Sequence, residues 1–207
     1  VPEDDNKDNA YVEFNLSDYD KKDSELIYYS SVEEAILNSP LNAENEEFSV
    51  PEDFLNHVDE ILHIWNGKQY DTIFYRAGSD NDPVQGFVMA RCKKQVEEAS
   101  VQYAFMNATP VTTKADSILI SDITELIHSS LKLSDFQQDL NPNYPDTRFV
   151  FGYAHDKEIY SLEVEGQKPD GVIEINVYDR TMYLWYYDDL KSDKRGNNLS
   201  YSVDMPE

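Results

Sequence analysis

Few side chains in this sequence have the type and spacing that chemistry needs. The four histidines are His57, His63, His128 and His155. His57 and His63 lie six apart, which fits neither two ligands on adjacent helical turns nor a zinc-protease helix. All four are expected at the surface or in turns. Cys92 is the single cysteine, so it forms no intrachain disulfide. It alternates with Val88 and Ala90, which predicts a buried small hydrophobe. A thiol nucleophile would also need a histidine partner. No nucleophile-elbow, dinucleotide or phosphate-loop motif is present. Asp4, Asn6 and Asp8 alternate like the start of a calcium loop. However, Asn9 stands where glycine is needed and Asn15 where a bidentate glutamate is needed. Asp80-Asn81-Asp82 reads as an acidic loop. With 41 Asp and Glu in the chain, adjacent pairs such as Glu33/Glu34 and Asp188/Asp189 carry little information about acid–base work. The expectation is no catalytic residue, no metal site and no cofactor.

One aromatic run stands out. In Met182-Tyr183-Leu184-Trp185-Tyr186-Tyr187, strand alternation puts Tyr183, Trp185 and Tyr187 on one face and Met182, Leu184 and Tyr186 on the other. An exposed row of Tyr183, Trp185 and Tyr187 would stack on sugars or grip a protein partner, and it is the candidate binding site. The competing reading buries both faces, one under a helix and one against a second sheet.

Charge narrows the partners. The net charge is -24, and residues 1–60 carry 18 Asp and Glu against 3 Lys. Such a body repels phosphate backbones and anionic lipid, so nucleic acid is not an expected partner. No apolar run is long enough to span a membrane. The opening stretch, Val1 to Asn9, has linker chemistry and no Met. A removed signal segment ahead of Val1 is therefore expected.

The elements that would position these residues fall into a repeated order. Residues 1–10 read as a disordered acidic leader, and Tyr11 to Leu16 as an edge strand. Ser31 caps a short helix to Ser39, with Glu34 three residues on and Pro40 beyond. A turn of helix is expected near Pro51 to Leu55. Ile61 to Trp65 and Tyr70 to Arg76 alternate as strands about Asn66-Gly67, a tight-turn signal that calls for positive φ at both residues. Gln85 to Lys93 and Ala99 to Met106 follow, and Asn107 to Lys114 reads as a connector. Asp122 then caps a helix to Ser130. The strands Arg148 to Tyr153, Glu158 to Glu165, Val172 to Tyr178 and Thr181 to Tyr187 come next.

This predicts an α+β, sheet-rich fold of two similar units, each a helix plus an antiparallel four-strand meander. The first unit spans 11–108 and the second 115–190, with a loose polar tail over 191–207. The helices align at an offset of 91, placing Val32 on Ile123 and Ile36 on Ile127. The first hairpins follow at 88–89.

The helix Val32 to Ser39, the strands Ile61 to Trp65, Asp71 to Ala77 and Gly86 to Lys94, and Phe149-Val150-Phe151-Gly152-Tyr153 before Ile159 to Gly166 resemble a pattern in secreted or lipid-anchored proteins of Gram-positive bacteria. The resemblance implies an extracytoplasmic location, with any lipid-bearing cysteine lying before Val1. The layout is also similar to the duplicated β-lactamase-inhibitory-protein and PepSY-like architecture. The expected function is a non-enzymatic extracytoplasmic binding protein with a protein or glycan partner at the cell envelope. The alternatives are an inhibitor or immunity-type protein for a basic enzyme, and a hydrolase whose site assembles only in space.

Overall fold

The computed structural model describes residues 23–39, 54–78, 85–110, 122–139, 148–177, 180–194 and 198–205. The expected leader, the strand at 11–16 and the candidate calcium residues Asp4, Asn6, Asp8 and Asp80 to Asp82 lie outside them.

Helix α1 is Val32–Asn38. The Ser31 hydroxyl accepts the Glu34 backbone N–H at 3.2 Å. The Glu34 carboxylate reaches back to Ser30, accepting its hydroxyl at 2.6 Å and its N–H at 3.3 Å. The reciprocal leg of the capping box has thus moved one residue upstream. At the other end, the Asn56 amide donates to the carbonyls of Ile36 and Ser39 at 2.7 and 2.9 Å. Those carbonyls have no partner within the helix itself.

Strands β1 (Val58–Asn66), β2 (Tyr70–Ala77), β3 (Gly86–Glu97) and β4 (Ser100–Pro110) form an antiparallel meander in that order. The first reversal falls two residues later than Asn66-Gly67 predicts. Asn66 still pairs with Asp71, and the Gly67 N–H donates to the Tyr70 carbonyl at 3.0 Å, so Lys68-Gln69 makes the tip. Neither Asn66 nor Gly67 has positive φ. Asp71 explains the shift. Its buried carboxylate accepts the Gly67 N–H at 3.2 Å and meets the Lys94 ammonium at 2.8 Å, which fixes the turn from inside.

Helix α2 is Ile123–Asp139, well beyond the expected end at Ser130. Asp122 caps it by accepting the Thr124 N–H at 2.7 Å. Strands β5 (Val150–Ala154), β7 (Gly171–Val177) and β8 (Arg180–Tyr187) form a second antiparallel sheet in the order β5-β8-β7. The expected strand from Glu158 to Glu165 does not join it. Lys157–Ser161 is a 3-10 turn, and β6 is only Glu163–Val164. Ile159 and Leu162, both fully buried, sit three apart. That spacing puts both on one side of a three-residue turn and on opposite faces of a strand. The tail is not loose either. β9 (Tyr201–Ser202) pairs with β6, and Leu199 is buried in the same core.

The molecule is α+β and sheet-rich. Its described elements stack in four layers: α1, the first sheet, the second sheet and α2. Ile73, Tyr75, Val88, Ala90 and Cys92 pack under α1. Trp65, Phe74 and Phe87 face Phe149, Phe151, Ile175, Met182 and Leu184 across the sheet interface. Phe74 meets Phe151 edge-on at 4.9 Å, and Trp65 stacks on Phe149 at 5.0 Å. Ile123, Ile127 and Leu131 of α2 cover Val150, Ala154 and Trp185. Gly152 permits that approach, because a Cβ there would strike both Trp185 and Ser130. Each half places a helix outside an antiparallel sheet. The strand orders differ, however, and among the described residues the second sheet has three strands where the repeat predicts four. Among the described residues, no helix is long and apolar enough to cross a membrane.

Candidate functional site

The aromatic row is not an exposed platform. Trp185 has no exposed surface, Tyr187 is 2 % exposed and Tyr183 8 %. Alternation places all three on the outer face of the second sheet, under α2, while Met182, Leu184 and Tyr186 turn toward the first sheet. The Tyr187 hydroxyl is consumed in the core, accepting the Val164 N–H at 3.1 Å and donating to the Gln167 carbonyl at 2.9 Å. Trp185 packs edge-on against it at 6.2 Å. As a binding row, Trp185 and Tyr187 are displaced into the core because α2 and the C-terminal segment cover them.

Tyr183 alone reaches an opening. It helps line a groove of about 430 Å³ with Lys157, Glu158, Tyr160, Ser161, Glu174 and Asp204. Three separate pieces of chain supply these residues. The 3-10 turn brings Lys157 to Ser161, the β7–β8 pair brings Glu174 opposite Tyr183, and the segment after β9 brings Asp204. On β7, Ile173, Ile175 and Val177 turn inward, so Glu174 faces out.

The groove's geometry is tied together by its own hydrogen bonds. The Tyr160 hydroxyl donates to Glu174 Oε1 at 2.8 Å. Its ring meets Tyr183 edge-on at 5.6 Å and 76°. Tyr160 is 50 % exposed. The Ser161 hydroxyl donates to the Glu158 carbonyl at 2.7 Å and accepts the Asp204 N–H at 2.8 Å. Its proton goes to a backbone carbonyl and not to a histidine or other side-chain base, which is the wrong arrangement for a nucleophile. The groove is electronegative. The hydrogen bond to Glu174 pushes the Tyr160 phenol up from its usual range. Burial does the same to Tyr183, helped by Glu174, Glu158 and Asp156. Among the described residues, Lys157 is the one cation in the lining, against Glu158, Glu174 and Asp204.

The wall carrying Asp204 depends on a clasp further back. Glu165 and Gly166 both have positive φ, 52° and 71°, and they turn the chain from Val164 to Gln167. Left-handed backbone is uncommon for glutamate. Here the carboxylate accepts from the Lys194 ammonium at 2.9 Å and from the Ser200 hydroxyl at 2.7 Å. The Glu165 N–H donates to the Ser200 carbonyl at 2.8 Å. Those contacts hold the chain that leads into β9 and the groove wall.

The remaining reactive side chains are placed elsewhere. Cys92 is fully buried beside Val88 and Ala90, and burial pushes its thiol up to about 12, so it is inert. His63 is partly buried. Its Nε2 lies 3.0 Å from Asp188 Oδ1, and its ring stacks on Tyr186 at 3.8 Å, where the two sheets meet. Burial lowers the His155 pKa. Among the described residues, no three His, Cys, Asp or Glu side chains are grouped to hold a metal ion. Tyr160, Glu174 and Asp204 are the groove residues that the sequence reading passed over. The signal for the turn that presents Tyr160 was there, in the three-residue spacing of Ile159 and Leu162.

No family model matches this chain. No curated protein and no solved structure matches it either.

Proposed function

We propose that this protein is a non-enzymatic binding protein that grips a cationic segment of a protein partner in the groove of Tyr160, Glu174, Tyr183 and Asp204. The observation that carries the reading is the pairing of one half-exposed tyrosine ring with three carboxylate residues in a single open groove. Aromatic surface supplies contact area with little loss of side-chain freedom, and carboxylates supply attraction for ammonium and guanidinium groups. The net charge of -24 extends that attraction beyond the groove and steers a basic partner toward it. A neutral glycan fits less well. Sugar stacking wants open ring faces, and only Tyr160 offers one, since Tyr183 is 8 % exposed. The engaged Ser161 hydroxyl weighs against the hydrolase alternative. The resemblance to secreted Gram-positive proteins supports an extracytoplasmic setting, where the partner would be a basic protein of the cell envelope.

Titration of the folded protein with hexalysine, followed by calorimetry at low and high salt, tests this. Saturable binding that weakens severalfold in Glu174→Gln and in Tyr160→Ala is expected. Equal binding by both variants and the parent protein would mean that charge alone attracts the peptide and the groove does not.

A further inference from the structure

The groove distinguishes among cations, and we infer that its anchor point takes a single arginine side chain displayed by a protein partner. This rests on the reading of the groove as a cation site and adds the identity of the group it holds.

The argument begins with the two tyrosine rings. At 76° and 5.6 Å the edge-to-face contact with Tyr183 fixes how the Tyr160 ring stands. Tyr160 remains half exposed in that position. Its hydroxyl is held by Glu174 Oε1, which stops the ring from swinging away. Among the described residues, Glu174 Oε2 has no bonded partner. A flat, delocalised cation laid on the Tyr160 ring can donate in its own plane to that oxygen, and the same lining carries two further carboxylate residues, Glu158 and Asp204. Guanidinium has five donors in such a plane, is weakly hydrated, and stacks on aromatic faces. Lysine's ammonium is compact and strongly hydrated. It can meet a carboxylate but gains less from the ring. The protein already makes this kind of stack internally, with the Arg91 guanidinium carbon 5.1 Å from the centre of the Tyr70 ring.

At about 430 Å³, the open groove has room for more than one side chain, so flanking residues of a partner segment fit beside the arginine.

The test uses the whole folded chain with free arginine and three blocked probes: N-acetyl-arginine methylamide and its lysine and citrulline counterparts. Binding is followed through the ring resonances of Tyr160 and Tyr183 by NMR. The arginine probe should shift both rings saturably, bind at least severalfold more tightly than the lysine probe, and lose that advantage in Glu174→Gln. Citrulline, with the same shape and no charge, should not bind. Two results would overturn the inference: equal affinities for the arginine and lysine probes, or no saturable shift with arginine. If hexalysine still bound through the groove in either case, the broader cation-binding reading would stand while the arginine anchor fell. Tighter binding of free arginine than of its blocked form would identify a free amino acid as ligand and exclude a displayed side chain.

Discussion

Tyr160 and Glu174, fourteen residues apart, meet at 2.8 Å with the phenol donating to the carboxylate. One lies on a 3-10 turn and the other on a strand. Their contact fixes the turn to the edge of the second sheet and gives the groove both its aromatic face and its charge. Replacing Tyr160 with Phe keeps the ring and releases the carboxylate. That variant should retain most of the stability, because a partly exposed hydrogen bond contributes on the order of 1 kcal/mol. It should bind a basic peptide more weakly, because the ring is no longer held. Thermal melts paired with the peptide titration check both halves.

The aromatics of β8 and those of the groove should separate cleanly by mutation. Trp185 is fully buried under α2, so Trp185→Ala should cost about 3–5 kcal/mol. For a chain of this length that lowers Tm by roughly 6–20 °C. Tyr160→Ala, which gives up one partly exposed hydrogen bond and one ring contact, should cost about 1–2 kcal/mol. A melting curve for each variant decides it. Similar, small losses for both would mean that Trp185 is not the core residue described above.

The alternation of β8 was legible in the sequence, and so were the cap at Ser31, the four strands of the first sheet and the burial of Cys92. These depend on local period and local hydrogen bonds. The second half resisted for a physical reason. Expecting a hairpin like the first one conceals the helical spacing of Ile159 and Leu162, which pulls this segment out of the sheet. The tail was misread for a related reason. Leu199 and Tyr201 are isolated apolar residues in a polar stretch, and only their long-range partners, α2 and β6, give them a place. The Tyr201 hydroxyl reaching the Thr124 carbonyl at 3.2 Å is such a contact. A groove assembled from a turn, a strand pair and a tail has no linear signature.

Glu165 should make the tail dependent on acid. The Lys194 ammonium and the Ser200 N–H and hydroxyl hold its carboxyl down at about 2 in the folded protein. In the unfolded chain it titrates near the usual glutamate value of about 4.3. The unfolded chain therefore takes up this proton first as pH falls. The stabilisation is complete above the unfolded value and is lost as pH drops toward the folded one. The stability difference between the parent protein and Glu165→Gln should be constant from neutral pH to about 5 and shrink toward pH 2. Denaturant unfolding across that range, with both proteins measured at each pH, gives the difference directly. A gap that stays constant down to pH 2 would contradict the clasp.

His63 and Asp188 join the two sheets, with Trp65 Nε1 donating to the Asp188 carbonyl at 3.1 Å alongside them. Removing the imidazole in His63→Ala takes away the bond to Asp188 and the stack on Tyr186. A loss of about 1–2 kcal/mol is expected from one hydrogen bond plus one ring contact. Chemical denaturation should show it without any change in binding at the groove, which lies on the opposite, outer face of the second sheet.

The most direct measurement is amide NMR of the full chain during titration with tri-arginine amide. Binding in the groove predicts saturable shifts confined to residues 157–161, 174, 183 and 204, and their loss in Glu174→Gln. Shifts spread over the acidic residues of the first sixty positions, with those groove signals unmoved, would contradict the account.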